Sequence, residues 1–295
     1  RIPHTILDDQ DRIVAVLVGR PRDPEWGEVM VDAARTCTQV REAGERDGLF
    51  KDEHTSHRRG DFTAISLGAS YGGGQTVRDL FHPMKRRMLL QTLLRQKSIQ
   101  RIAGFQSSSF SLYAPKMSKY YIDNLKPLFT HPDLHLTGNF KNSIFPATTF
   151  NLGPHCVTHQ HTDPGNVAFG LCAITALGSF NPKTSGLFAL YDLKLLIQFP
   201  PGSTILVPSA IFRHGNTPLQ DGENRMSITQ YSAGGLFRYV KYGFKTADTI
   251  GKKMKAELDG KHEDRVVEAL SLFSKFSELE GDRRLRFSTP SVSAT

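Results

Sequence analysis

Residues 151–166 read NLGPHCVTHQHTDPGN, and two later positions, His214 and Arg225, complete what that stretch begins. Side chains alternate along a strand, so a strand over Cys156–His161 projects His159, His161 and Asp163 from one face. Pro164-Gly165 then ends the strand just past the carboxylate. One imidazole and one carboxylate two residues apart, joined by a distant histidine, can build a facial triad that leaves coordination positions open on non-heme Fe(II). His161, Asp163 and His214 are that metal-binding and catalytic triad in this reading. His155, His159 and His161 also permit a different site, such as a Zn site using His159 and His161. The downstream pairing favours iron and leaves His155 and His159 outside the ligand set.

That pairing lies in STILVPSAIFRHGN (203–216) and RMSITQYS (225–232). Pro218 and Asp221-Gly222 interrupt the chain between His214 and Arg225, which suits a loop joining neighbouring strands. Arg225 and Ser227 then share a strand face. A guanidinium fork with a hydroxyl beside it holds one carboxylate in bidentate fashion, which is what the distal end of 2-oxoglutarate presents. Asn151 reaches the same ligand if its strand lies adjacent; the alternative for an Asn at a strand end is a turn.

The rest of the 295-residue chain bounds the fold. A hydrophobic content of 39% supplies a core, and no apolar run is long enough to span a membrane. The chain begins at Arg1, so the native N-terminus is expected upstream and no targeting signal can be read. Cys37, Cys156 and Cys172 are irregularly spaced, which argues against a disulfide framework and for a reducing compartment. Arg12–Val18 reads as a buried strand. Asp23-Pro24 opens a helix reaching about Ala43, with Trp26, Met30, Ala33, Cys37 and Val40 on one stripe. A further strand is expected near Phe62–Leu67. Ser70–Gln75 (SYGGGQ) lacks the GxxxxGK[ST] pattern, so it is no phosphate-binding loop; it is a tight connection or a place where backbone approaches a ligand.

Residues 83–130 read as basic helices. Lys85, Arg86, Arg87, Arg95, Lys97, Arg101, Lys116, Lys119 and Lys126 face one acid, Asp123, a local excess equal to the net charge of the whole chain, +8. Displayed on one side, these cations would attract phosphate, with Tyr113, Tyr120 and Tyr121 packing on sugar or base. The alternative is a solvated face with its tyrosines in the core; the pI near 9.4 favours nucleic acid.

After Phe140 eight short strands are expected: 144–151, 156–161, 168–177, 187–190, 195–199, 203–207, 211–214 and 225–231. Gly, Pro and Asn turns separate them, which suggests two packed antiparallel sheets. The fold class is α+β, a double-stranded β-helix (jelly roll) core with flanking N-terminal and C-terminal helices. One domain over 1–282 is expected: a helical, basic part to about 139, the core at about 140–235, and C-terminal helices at about 236–282. Within these, 248–279 reads as one helix with Leu258, Val266, Leu270, Phe273 and Phe276 inward. A disordered tail is expected from Arg283.

The blocks HRRGDF…GASYGGGQ, NLGPHCVTHQHTDPGNVAFGLCAITALG and PPGSTILVPSAIFRHGN…RMSITQYSAGGLFR resemble the fungal branch of the TET/JBP dioxygenases. The resemblance spans most of Arg12–Lys245. It implies an Fe(II)- and 2-oxoglutarate-dependent enzyme, with O2 as co-substrate, that oxidises methyl groups on DNA bases. It also implies iron at His161, Asp163 and His214, and 2-oxoglutarate on Arg225 and Ser227. The family pattern His-x-Asp-x-x-Asn makes Asn166 a base contact. The family histidine that helps hold 5-methylcytosine is Ala233 here, which leaves N6-methyladenine open beside 5-methylcytosine.

The expected partner is therefore methylated double-stranded DNA with the target base flipped out, at a cost of a few kcal/mol. Arg58 and Arg59 on the His57–Gly60 loop, and Gln75 on the glycine-rich loop, are the further candidate substrate contacts. A DNA substrate implies the nucleus. Two rivals remain: a protein or RNA hydroxylase on the same fold, and a catalytically inactive jelly-roll DNA-binding module.

Overall fold

The computed structural model describes residues 2–71 and 77–288. Gln75 and most of the glycine-rich loop lie outside them. The chain opens with β1 (His4–Leu7) and β2 (Ile13–Gly19), then α1 (Trp26–Arg46), the short α2 (Asp52–Thr55), β3 (Ala64–Ser70) and β4 (Arg78–Asp79). Three helices follow: α3 (Met84–Arg95), α4 (Lys97–Tyr113) and α5 (Pro115–Thr130). Then come β5 (Ala147–Asn151), β6 (Cys172–Ser179), β7 (Phe188–Leu190), β8 (Leu195–Ile197), β9 (Thr204–Val207), β10 (His214–Asn216) and β11 (Asn224–Tyr231). The C-terminal part holds α6 (Gly234–Lys241), α7 (Lys252–Asp259), α8 (His262–Ser271) and α9 (Leu279–Phe287).

The strands form an eight-stranded antiparallel sheet in the order β1-β2-β9-β6-β11-β5-β3-β4 and a three-stranded sheet, β10-β7-β8. This is a jelly-roll core within an α+β chain. The period-two pleat sorts β11 into two environments. Met226 and Ile228 join Phe150 and Leu152 against α1, α3 and α4. Arg225, Ser227 and Thr229 face the other way, into a cavity between the sheets. Ile174, Ala176, Phe180, Phe188, Leu190, Ile205 and Val207 fill the rest of the inter-sheet space. The α1 stripe is core, as its spacing predicts. Gln106 fastens α4 to the sheet: its buried amide donates to Thr175 Oγ1 (2.8 Å) and to the Ile228 carbonyl (2.9 Å).

Seven of the eight strands expected after Phe140 form, each within a few residues of its expected bounds. Cys156–His161 does not. Its backbone groups serve separate partners: Cys156 N donates to Arg225 O, Thr158 N to Asn216 Oδ1, His159 N to Arg59 O and His161 N to His214 O. No single neighbour runs alongside, so no ladder can form.

The basic helices also differ from the single charged face. Arg86 points inward and donates to the Leu49 carbonyl at 2.7 Å. Arg101 pairs with Asp23 and Glu25, Lys116 with Glu278 and Asp282, and Lys119 with Asp123. Acids distant in sequence thus neutralise much of the local excess. Tyr121 is fully buried, Tyr120 stacks on Phe237, and Tyr113 lies under Arg283. None of the three is free to stack on a base.

The helix expected over 248–279 is divided at Gly260, whose φ of +63° starts a new direction. Of its expected inward residues, Phe273 is buried, whereas Val266, Leu270 and Phe276 are exposed. Of the tail expected to be disordered from Arg283, the part to Phe287 is helical, with Arg283 donating to the Leu112 carbonyl (2.7 Å) and Arg286 to Ser118 Oγ (3.3 Å), and residues 289–295 lie outside the described ones. No helix among the described residues is long and apolar enough to cross a membrane.

Candidate metal centre

His161 and His214 are brought together by backbone before side chains matter. Each donates its N–H to the other's carbonyl, at 3.0 and 2.9 Å, and the ring centroids sit 4.3 Å apart. Asp163 follows on a turn: its N–H donates to the Ser209 carbonyl, and its own carbonyl accepts from Asn166 N. The carboxylate lies between the rings, with Oδ1 at 3.7 Å from His161 Nε2 and Oδ2 at 3.8 Å from His214 Nε2. One ligand atom from each residue falls within 4.8 Å of the others, and among the described residues no other such cluster forms. His155 and His159 are exposed and stand apart from it. The zinc alternative built on His159 therefore does not assemble.

The tautomers suit a metal. Nδ1 of His161 lies 2.8 Å from the His159 carbonyl, and Nδ1 of His214 lies 2.9 Å from the Phe212 carbonyl. A carbonyl only accepts, so each Nδ1 carries the hydrogen and each Nε2 presents a lone pair toward Asp163. Burial, and then the neighbouring His214, push the His161 pKa down to about 4. Burial likewise lowers that of His214, against the opposing pull of Asp163. Both imidazoles are thus neutral at pH 7, the form that ligates. Two neutral imidazoles and one carboxylate, with solvent reaching Asp163, fit Fe(II) and leave coordination positions for other ligands.

The same cavity contains Arg59, Asn151, Thr158, Asn216, Arg225, Ser227 and Thr229. Arg225 is fully buried, and no carboxylate of the protein pairs with it among the described residues. Its Nη1 donates weakly to the Cys156 carbonyl (3.2 Å) and Asn216 Oδ1 (3.3 Å), and its Nε has no partner. An unpaired buried guanidinium is strongly unfavourable unless an anion arrives to meet it. Ser227 sits beside it on β11, and Asn151 faces Ser227 across the β5–β11 register. Asn151 Oδ1 is a second buried atom here without a partner. Such orphans mark a site built around a polar ligand. A keto acid suits these residues: Arg225 and Ser227 would hold its distal carboxylate in the cavity that also contains His161, Asp163 and His214.

The remaining expected substrate contacts have distinct places. The turn His57–Gly60 closes on itself through hydrogen bonds between His57 and Gly60, which puts two arginines at its tip. Arg58 lies over the open side of Asp163, Nη2 to Oδ1 at 3.6 Å, and Arg59 lines the cavity. Asn166 is held by its amide, Nδ2 donating to Cys172 Sγ and Ser209 Oγ, both at 3.2 Å. Its backbone bridges to Ala233, so the position of interest beside Asn166 carries only a methyl group. Sequence reasoning missed Asn216, which braces both Thr158 N and Arg225; its signal was slight, an Asn two residues after His214. Thr158 and Thr229 were missed as well, being indistinguishable from any strand threonine.

Two sheets enclosing a His-Asp-His cluster have counterparts among solved structures. A solved structure of NgTET1 in complex with 5mC DNA is similar over 78% of this chain and 76% of that one, with a TM-score of 0.55 at 13% identity. A 2-oxoglutarate complex of the viral collagen prolyl hydroxylase vCPH from Paramecium bursaria Chlorella virus-1 aligns with 68% of this chain and 90% of its own, at a TM-score of 0.31 and 12% identity. An oxidoreductase of the 2OG-Fe(II) oxygenase family from Burkholderia pseudomallei aligns over the same shares, at 0.34 and 15%. No protein-family model matches the sequence, and no curated protein matches it.

Proposed function

We propose that this protein is an Fe(II)- and 2-oxoglutarate-dependent dioxygenase that oxidises methyl groups on DNA bases, 5-methylcytosine or N6-methyladenine. The observation that carries the catalytic part is the pairing, within one cavity, of a metal-ready triad with a buried guanidinium that has no counter-ion among the described residues. Iron with a bound keto acid and O2 supplies oxidation of an unactivated methyl group at the expense of the keto acid, which leaves as succinate and CO2. His161, Asp163 and His214 hold the metal, Arg225 and Ser227 orient the keto acid, and the packed sheets keep water from that end.

DNA as substrate rests on three supports. The open side of the triad is bordered by Arg58 and Asn166, a cation for a phosphate and an amide for a base edge. The Asn166 NH2 is already committed to Cys172 and Ser209, so its carbonyl oxygen is the group left to accept from an exocyclic amine. Cytosine N4 and adenine N6 both carry such a donor. The third support is the likeness in fold to NgTET1 in complex with 5mC DNA. Flipping of the base is required, because a stacked base cannot reach a metal between two sheets. On the same DNA reading, a nuclear location is part of the proposal.

The local neutralisation of Arg101, Lys116 and Lys119 favours a second reading, a protein hydroxylase with the same machinery. Matched duplexes carrying either methylated base, incubated with Fe(II), 2-oxoglutarate and O2, separate the readings by mass spectrometry of the nucleosides. An oxidised or demethylated nucleoside is expected. Succinate without any altered nucleoside overturns the DNA assignment. Anaerobic Fe(II) with 2-oxoglutarate should also give a weak visible charge-transfer band that His214→Ala abolishes; folded, iron-loaded protein without that band overturns the oxygenase assignment.

A further inference from the structure

Two exposed helical faces, far apart in sequence, complement one another. The first is at the start of α3. Leu90 and Leu93 turn that helix toward α1 and α4, which leaves Met84 and Met88, one turn apart, on the outer face. Phe81, Met84 and Met88 are 80%, 76% and 67% exposed. Lys85 and Arg87 flank them, both exposed and without an acidic partner among the described residues. The second face is on α8, none of whose side chains is fully buried. Val267, 68% exposed, stands beside Val266 and Leu270 on its surface. Glu263, Asp264 and Glu268 flank these, exposed and likewise outside any ion pair among the described residues.

Scattered exposed apolar residues need no explanation, but contiguous ones bordered by charge mark interaction sites. A ten-residue helix without a fully buried side chain draws little support from the chain's own core, and the exposed part of Val266, Val267 and Leu270 gains from a further surface. Duplex DNA is a poor occupant for α3, since phosphates leave Phe81, Met84 and Met88 in water. An acidic amphipathic helix covers both the apolar stripe and the cations. This chain carries one.

We propose that α8 of one copy docks on the Phe81–Met88 face of a second copy, with Val266, Val267 and Leu270 against Phe81, Met84 and Met88, and Glu263 and Glu268 near Lys85 and Arg87. The two faces differ, so the contact is heterologous. Each copy offers both faces, and assembly runs on into a chain unless the rotation closes a ring. The proposal is independent of the catalytic reading.

Analytical ultracentrifugation of the full chain over a concentration series tests it. Wild type is expected to self-associate reversibly beyond a dimer or to a closed ring, more weakly as salt rises. Met84→Glu/Met88→Glu removes one face and Val267→Asp/Leu270→Asp the other. Each variant alone is expected to be monomeric, and an equal mixture to give dimers and nothing larger. Lys85→Glu/Arg87→Glu and Glu263→Lys/Glu268→Lys should each weaken association about tenfold or more, and the chain carrying all four should recover it. The surface charge swap decides if an apolar variant fails to fold, with circular dichroism as the check. Wild type monomeric at every concentration overturns the proposal. So does association that the mixed variants do not restore, which would mean that like faces meet. Binding of the wild type to phosphatidylserine vesicles or an unmethylated duplex, lost in Met84→Glu/Met88→Glu while self-association persists, overturns it in favour of that occupant.

Discussion

Asn151 and Ser227 stand opposite one another in the β5–β11 register, and the Asn151 amide donates to Ser227 Oγ at 2.8 Å. That bond uses an acceptor position of the hydroxyl and leaves its hydrogen free to point along the cavity toward the ligand of Arg225. Ser227→Ala should therefore raise the KM for 2-oxoglutarate with little change in kcat. A hydrogen bond to a charged group contributes about 1.5–3 kcal/mol, so a rise of roughly tenfold or more is expected in succinate-release kinetics. Asn151→Ala should give a smaller rise, since the hydroxyl remains but is no longer turned.

Arg225 is costly to the empty protein and needed by the filled one. Without ligand its Nε has no partner, and the guanidinium lies wholly out of water. Arg225→Met should leave the ligand-free melting temperature unchanged or higher, because replacing a buried unpaired charge by an apolar chain of similar length removes a desolvation cost. Wild type should be stabilised by 2-oxoglutarate, by about 2.7 kcal/mol at a hundred times the Kd, and the variant should not respond. Thermal shift with and without 2-oxoglutarate reads both effects. A variant that still responds to 2-oxoglutarate would move the carboxylate clamp elsewhere.

What the residues disclosed in advance follows from how each is held. The α1 stripe, the alternation of β11 and the Arg-x-Ser pair are local periodicities, and local periodicity is what a sequence displays. The triad was legible because its spacing is chemical: His161 and Asp163 are two residues apart, and His214 ends a strand-like run. The reason given for the spacing failed, since 156–161 is an irregular segment tied to Arg225, Asn216, Arg59 and His214 rather than a strand. Those partners are distant in the chain, and no window of sequence contains them. The cations of α4 and α5 misled for the same reason. Asp23, Glu25, Glu278 and Asp282 neutralise them across long sequence separations.

Acid should loosen the metal-free protein. His161 is pushed down to about 4 from an ordinary value of 6.5, chiefly by burial, and His214 is lowered for the same reason. The unfolded chain thus binds more protons than the native one between those values, and stability falls as pH drops through that window. Melting curves in EDTA should be flat above about pH 7 and decline toward pH 4. His161→Gln should flatten the decline by removing one of the two groups. An unchanged slope would show that the two imidazoles are protonated as readily in the native state as in the unfolded one.

Gly60 sets where the two arginines of its turn can reach. Its φ is +142°, and a Cβ there would stand 2.5 Å from the Val157 carbonyl, backbone that cannot step aside cheaply. Gly60→Ala must either open the turn or push the 155–161 segment, and the His159 N–H to Arg59 carbonyl bond joins the two. A loss of about 1–3 kcal/mol is expected, from backbone strain of that order. The more telling effect is on the site. Arg58 leaves Asp163, Arg59 leaves the cavity, and His161 shifts with the segment that carries it. Metal titration of Gly60→Ala beside Arg58→Ala separates these consequences. Arg58→Ala removes a cation 3.6 Å from a ligating carboxylate and should tighten Fe(II) binding, whereas Gly60→Ala should weaken it by displacing His161. Equal affinities in the two variants would mean that the turn does not position the metal ligands at all.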